Sequence, residues 1–318
     1  MLSVFTIGGF LELLKISIIF VIMLFVTMRV DKFVCSIGTE ILFYASVILG
    51  FRLLIPFHLP MTLEIICPFL TTSALNVFSN SIYGSVRIYH LLLFVWFTVA
   101  VIKIISIYIE YKKFTCLLWS LSKIQNNRAI NPVFKKTLTE FDLKANVTVV
   151  VSDKIKHPFV IGFREVFIAL PLKSYTAPQL RHILIHELNH VKSHDFEWKA
   201  FFEVLSALYW WYPIMHIFKK QFFKLLEIRN DMRCIDGMPE KEQCSYLSCI
   251  LDESESFETY NRFVLPFSML NKSFLRQRFI LILNNEVKKN FKIQVFIMLI
   301  LVVLFILSIS ISLAPISL

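Results

Sequence analysis

A chain of 318 residues with 56% hydrophobic and only 18% charged side chains, and a mean hydropathy of +0.66, is too apolar for a single water-soluble globule or a disordered chain. Its 33 Lys and Arg against 23 Asp and Glu, a net charge of +10, mark on such a chain the cytoplasmic face of a membrane protein, so no direct nucleic-acid binding is expected. The six cysteines (Cys35, Cys67, Cys116, Cys234, Cys244, Cys249) are scattered without a CxxC pair, which argues against a disulfide framework.

A bilayer core takes about 20 mainly apolar residues per helix. Segments near 5–28, 37–57, 88–109 and 291–314 meet that length, and the first reads as an anchor rather than a cleaved leader. Within the second, Glu40 lies toward one end and Arg52 toward the other, where a long side chain can reach the interface. Arg29 and Lys32 follow the first segment, Lys112, Lys113, Lys123 and Arg128 follow the third, and Lys288, Lys289 and Lys292 precede the fourth. By the positive-inside rule these basic flanks put the 110–290 insert in the cytoplasm and both termini outside. The expected organisation is therefore a membrane domain over 1–110, a cytoplasmic domain over 111–290, and a C-terminal span over 291–318.

Inside the insert, Val147–Ser152 and Val166–Leu170 are β-branched and aromatic runs separated by His157-Pro158 and Gly162, which predicts a small hairpin or edge sheet. Thr176-Ala177-Pro178-Gln179 then announces a helix: a capping threonine, an early proline and a glutamine three residues on. Residues 196–218 are apolar and aromatic, but Glu197, Lys199, Glu203 and Pro213 favour a helix buried against its neighbour or lying at the interface over a fifth span. Asp252 to Glu258 reads as a solvated acidic loop.

The helix announced by Thr176 carries His186-Glu187-Leu188-Asn189-His190. Four residues advance an α-helix by slightly more than one turn, so His186 and His190 project from one face and can grip one tetrahedral ion. Glu187 stands beside them, where its carboxylate can take a proton from a water that zinc has acidified and deliver it to a leaving amine. His182 and His194 continue the four-residue spacing, but only the 186/190 pair brackets a glutamate, so these two are read as supporting or surface groups. A catalytic zinc takes a third protein ligand. Downstream, Glu227 can supply it, with Asp231 four residues later accepting the outer N–H of a liganding histidine; Asp236 is the other candidate.

These residues resemble the integral-membrane metallopeptidases of the BlaR/MecR type, the beta-lactam-sensing signal transducers, and more distantly the HtpX and CAAX-prenyl-protease membrane peptidases. The resemblance runs through His157-Pro158-Phe159-Val160-Ile161-Gly162, Leu170-Pro171, His186 to His190 and Asp195 five residues further on. Tyr209-Trp210-Trp211-Tyr212-Pro213 looks like the family's aromatic-Asn-Pro segment, with Tyr212 where asparagine is usual. The family's carboxylate motif usually ends in Cys-Asp; here Cys234-Ile235-Asp236 stands in that place, so by analogy the third ligand is Glu227 or an aspartate of this segment.

The resemblance implies a mainly α membrane protein of about four transmembrane helices with a cytoplasmic α+β gluzincin-like domain. It implies one Zn2+ per chain and hydrolysis of a protein substrate such as a cytosolic transcriptional repressor, in regulated signalling. A constitutive quality-control or processing protease of the HtpX or CAAX kind, or a non-catalytic receptor or scaffold, are the alternatives. No Ser-x-x-Lys motif of a penicillin-binding sensor follows the last expected span, so direct acylation by a beta-lactam is not expected. The signal is then expected to be a different one or to be supplied by a partner, and a homodimer or a sensor partner is the expected association.

Overall fold

The structure, a computed structural model, describes residues 38–54, 63–71, 81–83, 86–124, 130–141, 143, 146–254, 272–283, 295, 299, 302–303 and 311–316. The expected first span, 5–28, lies outside them. The chain divides into two units: residues 1–105, 204–222 and 288–318 form one, and residues 106–203 and 223–287 form the other.

In the first unit, α1 (Thr39–Leu54) occupies the expected second span. It buries Leu42, Phe43, Ser46, Val47, Gly50 and Leu53 at helical spacing and exposes Tyr44, Ile48 and Phe51. Arg52, expected to reach the interface, is instead on the buried side. Short strands follow: β1 (Leu63–Thr71), β2 (Ser81–Tyr83) and β3 (Val86–Arg87), the last two paired antiparallel.

Next, α2 (Ile88–Ile124) begins where the third span was expected but runs well past residue 109, because no proline or glycine interrupts it. Among the described residues it is the one helix long and apolar enough to cross a membrane, over His90–Ser122, and its Leu91, Leu92, Phe94, Val95, Phe97, Ile102 and Ile105 are exposed.

The expected fourth span is described only in part. Residues 295, 299, 302 and 303 are helical, but 311–314 are not: they belong to β7 (Ile311–Ile316), which pairs parallel with β1 from Leu63 opposite Ile311.

The second unit is α+β. α3 (Ile130–Phe141) precedes β4 (Asn146–Ser152), β5 (Phe159–Ile161) and β6 (Glu165–Pro171). The sheet order is β4-β6-β5, so the two runs expected to form a hairpin pair differently: β4 lies parallel to β6, with Val147 opposite Val166, and the hairpin is β5 with β6. The connection through 153–158 carries the chain back across before β5 starts, and the tight reversal falls at Gly162. Its φ of +129° is open to glycine, and a Cβ there would sit 2.0 Å from the Glu165 carbonyl oxygen.

The central strand β6 is buried through Val166–Pro171. On this sheet lies α4 (Ala177–Lys192), its Leu180, Ile183, Leu184 and Leu188 packed with Val151, Ile168 and Leu170. Then come α5 (Asp195–Leu208) and α6 (Pro213–Ile235), whose residues 204–208 and 213–222 belong to the first unit, followed by α7 (Glu240–Ser254) and α8 (Lys272–Leu283). Residues 196–218 are thus not one helix: the chain turns at 209–212 and α6 restarts on Pro213, whose fixed φ suits a first helical position. A second cluster joins Ile185 of α4 to Cys234 and Ile235 of α6, Tyr246, Leu247 and Ile250 of α7, and Ile282 of α8.

Gly162→Ala should lower the unfolding temperature through the backbone clash, at a cost of about 1–3 kcal/mol. Gly237→Ala is the comparison, since Gly237 also has positive φ (+74°) but nothing within 4 Å of a built Cβ. A thermal melt in which Gly162→Ala matches the wild type would refute this account of the turn.

Candidate metal centre

α4 starts where its residues dictate. The Thr176 side chain accepts from the Gln179 backbone N–H, and the Gln179 side chain accepts from the Thr176 N–H at 3.1 Å, a complete capping box. Leucines at 180, 184 and 188 face the sheet, and histidines at 182, 186 and 190 share the same four-residue interval on another side of the helix. The apolar face thereby fixes the rotation of the helix and with it the direction of the imidazoles.

Opposite them, α6 brings Glu227. Its Oε2 lies 3.6 Å from His186 Nε2 and 3.6 Å from His190 Nε2. A tetrahedral ion with bonds of about 2.0–2.2 Å sets its ligand atoms roughly 3.4 Å apart. The three side chains, whose ligand atoms lie within 4.8 Å of one another, therefore fit such an ion, and two imidazoles with one carboxylate are a catalytic rather than a purely structural zinc donor set.

The outer nitrogens are held by two separate relays. His190 Nδ1–H donates to Asp195 Oδ2 at 2.7 Å, and the other oxygen of Asp195 accepts from Arg229 Nη2 at 2.9 Å. His186 Nδ1 is 2.7 Å from the Tyr246 hydroxyl, which donates its own proton to Asp231 Oδ1 at 2.8 Å; the phenol oxygen is thus the acceptor for the imidazole N–H. Asp231 in turn is gripped by Arg278, Nε at 2.5 Å and Nη2 at 2.7 Å. With Nδ1 of each imidazole engaged as a donor, Nε2 is the nitrogen that faces Glu227, and on losing its proton it offers the lone pair a metal ligand needs. Asn230 Nδ2 donates to the His186 carbonyl at 2.9 Å and ties α6 to α4 at the same level.

The electrostatics follow from this packing. Burial alone would raise the Glu227 carboxyl, but the positive charges of His190 in its protonated, metal-free form and of Lys199 outweigh it and hold the group well below the usual carboxylate range. Glu187 behaves in the opposite way. Burial pushes it above its ordinary value, with His186 and His190 pulling against that push and Glu227 adding to it. It lines a cavity of about 30 Å³ together with Pro158, His182, His186, Tyr246 and Glu253. That is room for one or two waters beside the carboxylate.

Of the residues singled out from sequence, His186, Glu187, His190, Glu227, Asp195 and Asp231 converge here. Asp231 does not take the histidine N–H directly as expected: its Oδ1 is 3.5 Å from His186 Nδ1, and Tyr246 stands between as the hydrogen-bonding group. Asp236 lies past the end of α6, exposed and outside the cluster. His194 points into solvent, bonded to Glu197. His182 is buried edge-on to Tyr246 in the cavity wall. Tyr246, Arg278, Arg229 and Lys199 were not foreseen. Arg278 is one of two arginines, with Arg276, in the otherwise largely apolar stretch Phe274 to Leu283, and nothing local singles it out or names its partner 47 positions away.

Residues 72–282 match the family described as BlaR1 peptidase M56, and the chain belongs to that family. It is 25% identical to the regulatory protein BlaR1 of Staphylococcus aureus over 154 residues, 47% of this chain and 26% of that protein. It is 28% identical to the methicillin resistance mecR1 protein of the same species over 111 residues, 34% of this chain and 19% of that protein. With BlaR1 of Bacillus licheniformis it shares 27% over 131 residues, 41% of this chain and 22% of that protein. The chain thus spans about a quarter or less of the length of these relatives.

Arg278 and Asp231 are each 1% exposed, so Arg278→Met would strand a buried carboxylate and should destabilise the protein by about 3–5 kcal/mol. Adding Asp231→Leu should recover much of that loss. Denaturant titration of the two variants checks both, and equal stability of Arg278→Met and wild type would show that Asp231 does not depend on this pair.

Proposed function

We propose that the protein is a membrane-embedded zinc metallopeptidase that hydrolyses a peptide bond in a cytosolic or membrane protein as part of signalling. The observation that carries this is the placement of His186, His190 and Glu227 at tetrahedral spacing with Glu187 in the adjoining cavity, in a chain of the BlaR1 peptidase M56 family. The relatives bear names of regulatory and resistance proteins, which favours a signalling role and a transcriptional repressor as substrate over general protein turnover.

A zinc ion held by His186, His190 and Glu227 would supply Lewis acidity, polarising a carbonyl and bringing water within reach of ionisation near neutral pH. Glu187 then serves as the base that removes a water proton, and its raised affinity for that proton suits it to pass the proton on to the departing amine. Asp195 and Tyr246 keep each imidazole in the tautomer and direction required. The wall formed by Pro158, Ile183, Cys249 and Ile250 limits water beside Glu187 and strengthens each of these charges.

The apolar first part of the α2 segment His90–Ser122 supplies a membrane span, with Lys112 and Lys113 beyond its end as the basic flank that keeps the peptidase unit in the cytoplasm. The proposed organisation retains residues 1–110 and 291–318 as membrane segments with both termini outside, in a bacterial cytoplasmic membrane.

Cells carrying the wild type should contain new protein N-termini that are missing from cells carrying Glu187→Gln, while the purified variant keeps about one zinc per chain. Identical N-termini in the two would overturn the peptidase reading. In contrast, His186→Ala with His190→Ala should abolish zinc binding. Between these extremes, Asp195→Asn and Tyr246→Phe should fold, bind zinc about 10–100-fold more weakly in chelator competition, and lose activity to match; unaltered affinity in both would mean the outer hydrogen bonds do not set the ligands.

A further inference from the structure

Lys199 stands out among the groups around the site because the proposed chemistry leaves it unused. It lies one helical turn beyond Asp195 on α5, so both side chains leave that helix on one face. Asp195 takes the outer nitrogen of His190, and Lys199 takes the outer oxygen of Glu227: Nζ is 3.3 Å from Oε1, with both side chains only 12% exposed. The inner oxygen, Oε2, is the atom 3.6 Å from both histidine Nε2 atoms.

A buried ammonium is costly unless paired, and one next to a cation site also faces like-charge repulsion. Its position is therefore informative. A carboxylate offers two oxygens and can hold a metal with either or both; an ammonium on Oε1 leaves Oε2 alone for that task.

We propose that Lys199 is a positioning residue that fixes Glu227 as a one-oxygen ligand of the candidate metal centre. The inference rests on the reading of His186, His190 and Glu227 as that centre. With Oε1 occupied, the second carboxylate oxygen does not fill the position that a catalytic site keeps for water and substrate. One face of α5 thus sets two ligands, His190 through Asp195 and Glu227 through Lys199.

The test uses the full chain in detergent, stripped of metal and titrated with Co2+, whose visible absorption is strong in four-coordinate sites and weaker as the coordination number rises. The wild type should bind about one cobalt with a strong band. Lys199→Met, with Lys199→Leu as the second variant should methionine not fold, should show a weakened band and an affinity changed by about 10–100-fold. Lys199→Arg or Lys199→Gln, each of which keeps a donor, should restore the band. An unchanged band and affinity in the folded methionine or leucine variant overturns the proposal, as does a weakened band that neither donor variant restores, which marks general damage instead. A wild type that binds no cobalt overturns the metal-centre reading itself, a result distinct from either of these.

Discussion

Glu227 is a carboxylate withdrawn from water, and it stays ionised because two imidazoles and an ammonium surround it. That arrangement governs the rest of the unit. Each positive or polar partner must itself be held, since an imidazole free to turn would surrender its share of the stabilisation and leave the charge exposed to a low-dielectric interior. Asp195 with Arg229 holds one imidazole; Tyr246, Asp231 and Arg278 hold the other. Buried, charge-assisted bonds of this kind hold a stiffer geometry than a surface ion pair.

The stiffness is distributed over elements far apart in the chain. The two histidines and Glu187 come from α4, Asp195 and Lys199 from α5, Glu227, Arg229 and Asp231 from α6, Tyr246 from α7 and Arg278 from α8. The hydrophobic clusters do the coarse assembly, with α4 seated on the sheet and α6, α7 and α8 gathered around Ile185 and Tyr246. Polar contacts then fix the remaining rotation. Tyr246 belongs to both levels, its ring in the apolar cluster and its hydroxyl in the relay, which is a use suited to a side chain with an apolar body and one polar end.

What was readable in the sequence divides along the same line. The capping box, the HExxH spacing and the Glu227–Asp231 interval are local, within one or two helical turns, and the periodicity of an α-helix turns such intervals into shared faces. The parallel pairing of β4 with β6 was not readable, since β-branched runs look the same in either direction and only the path through 153–158 decides it. The break at 209–212 had a signal in Pro213, which was used as evidence against a span and not as the start of a new helix. In the sequence Lys199 reads only as a charge unsuited to a bilayer. Its partner lies on another helix, and no pattern within α5 points to it.

The grip of Arg278 on Asp231 also gives the molecule a timetable. The two residues are 47 positions apart, and ribosomes add about 5–20 residues per second, so the aspartate is made roughly 2 to 9 seconds before its arginine. During that interval the residues of α4, α5 and most of α6 have been synthesised, yet the carboxylate that steadies Tyr246 and His186 has no counter-ion to let it leave water. α8 is therefore the keystone in order of manufacture: a growing chain carries all three candidate metal ligands before it carries the arginine that completes the Asp231 pair.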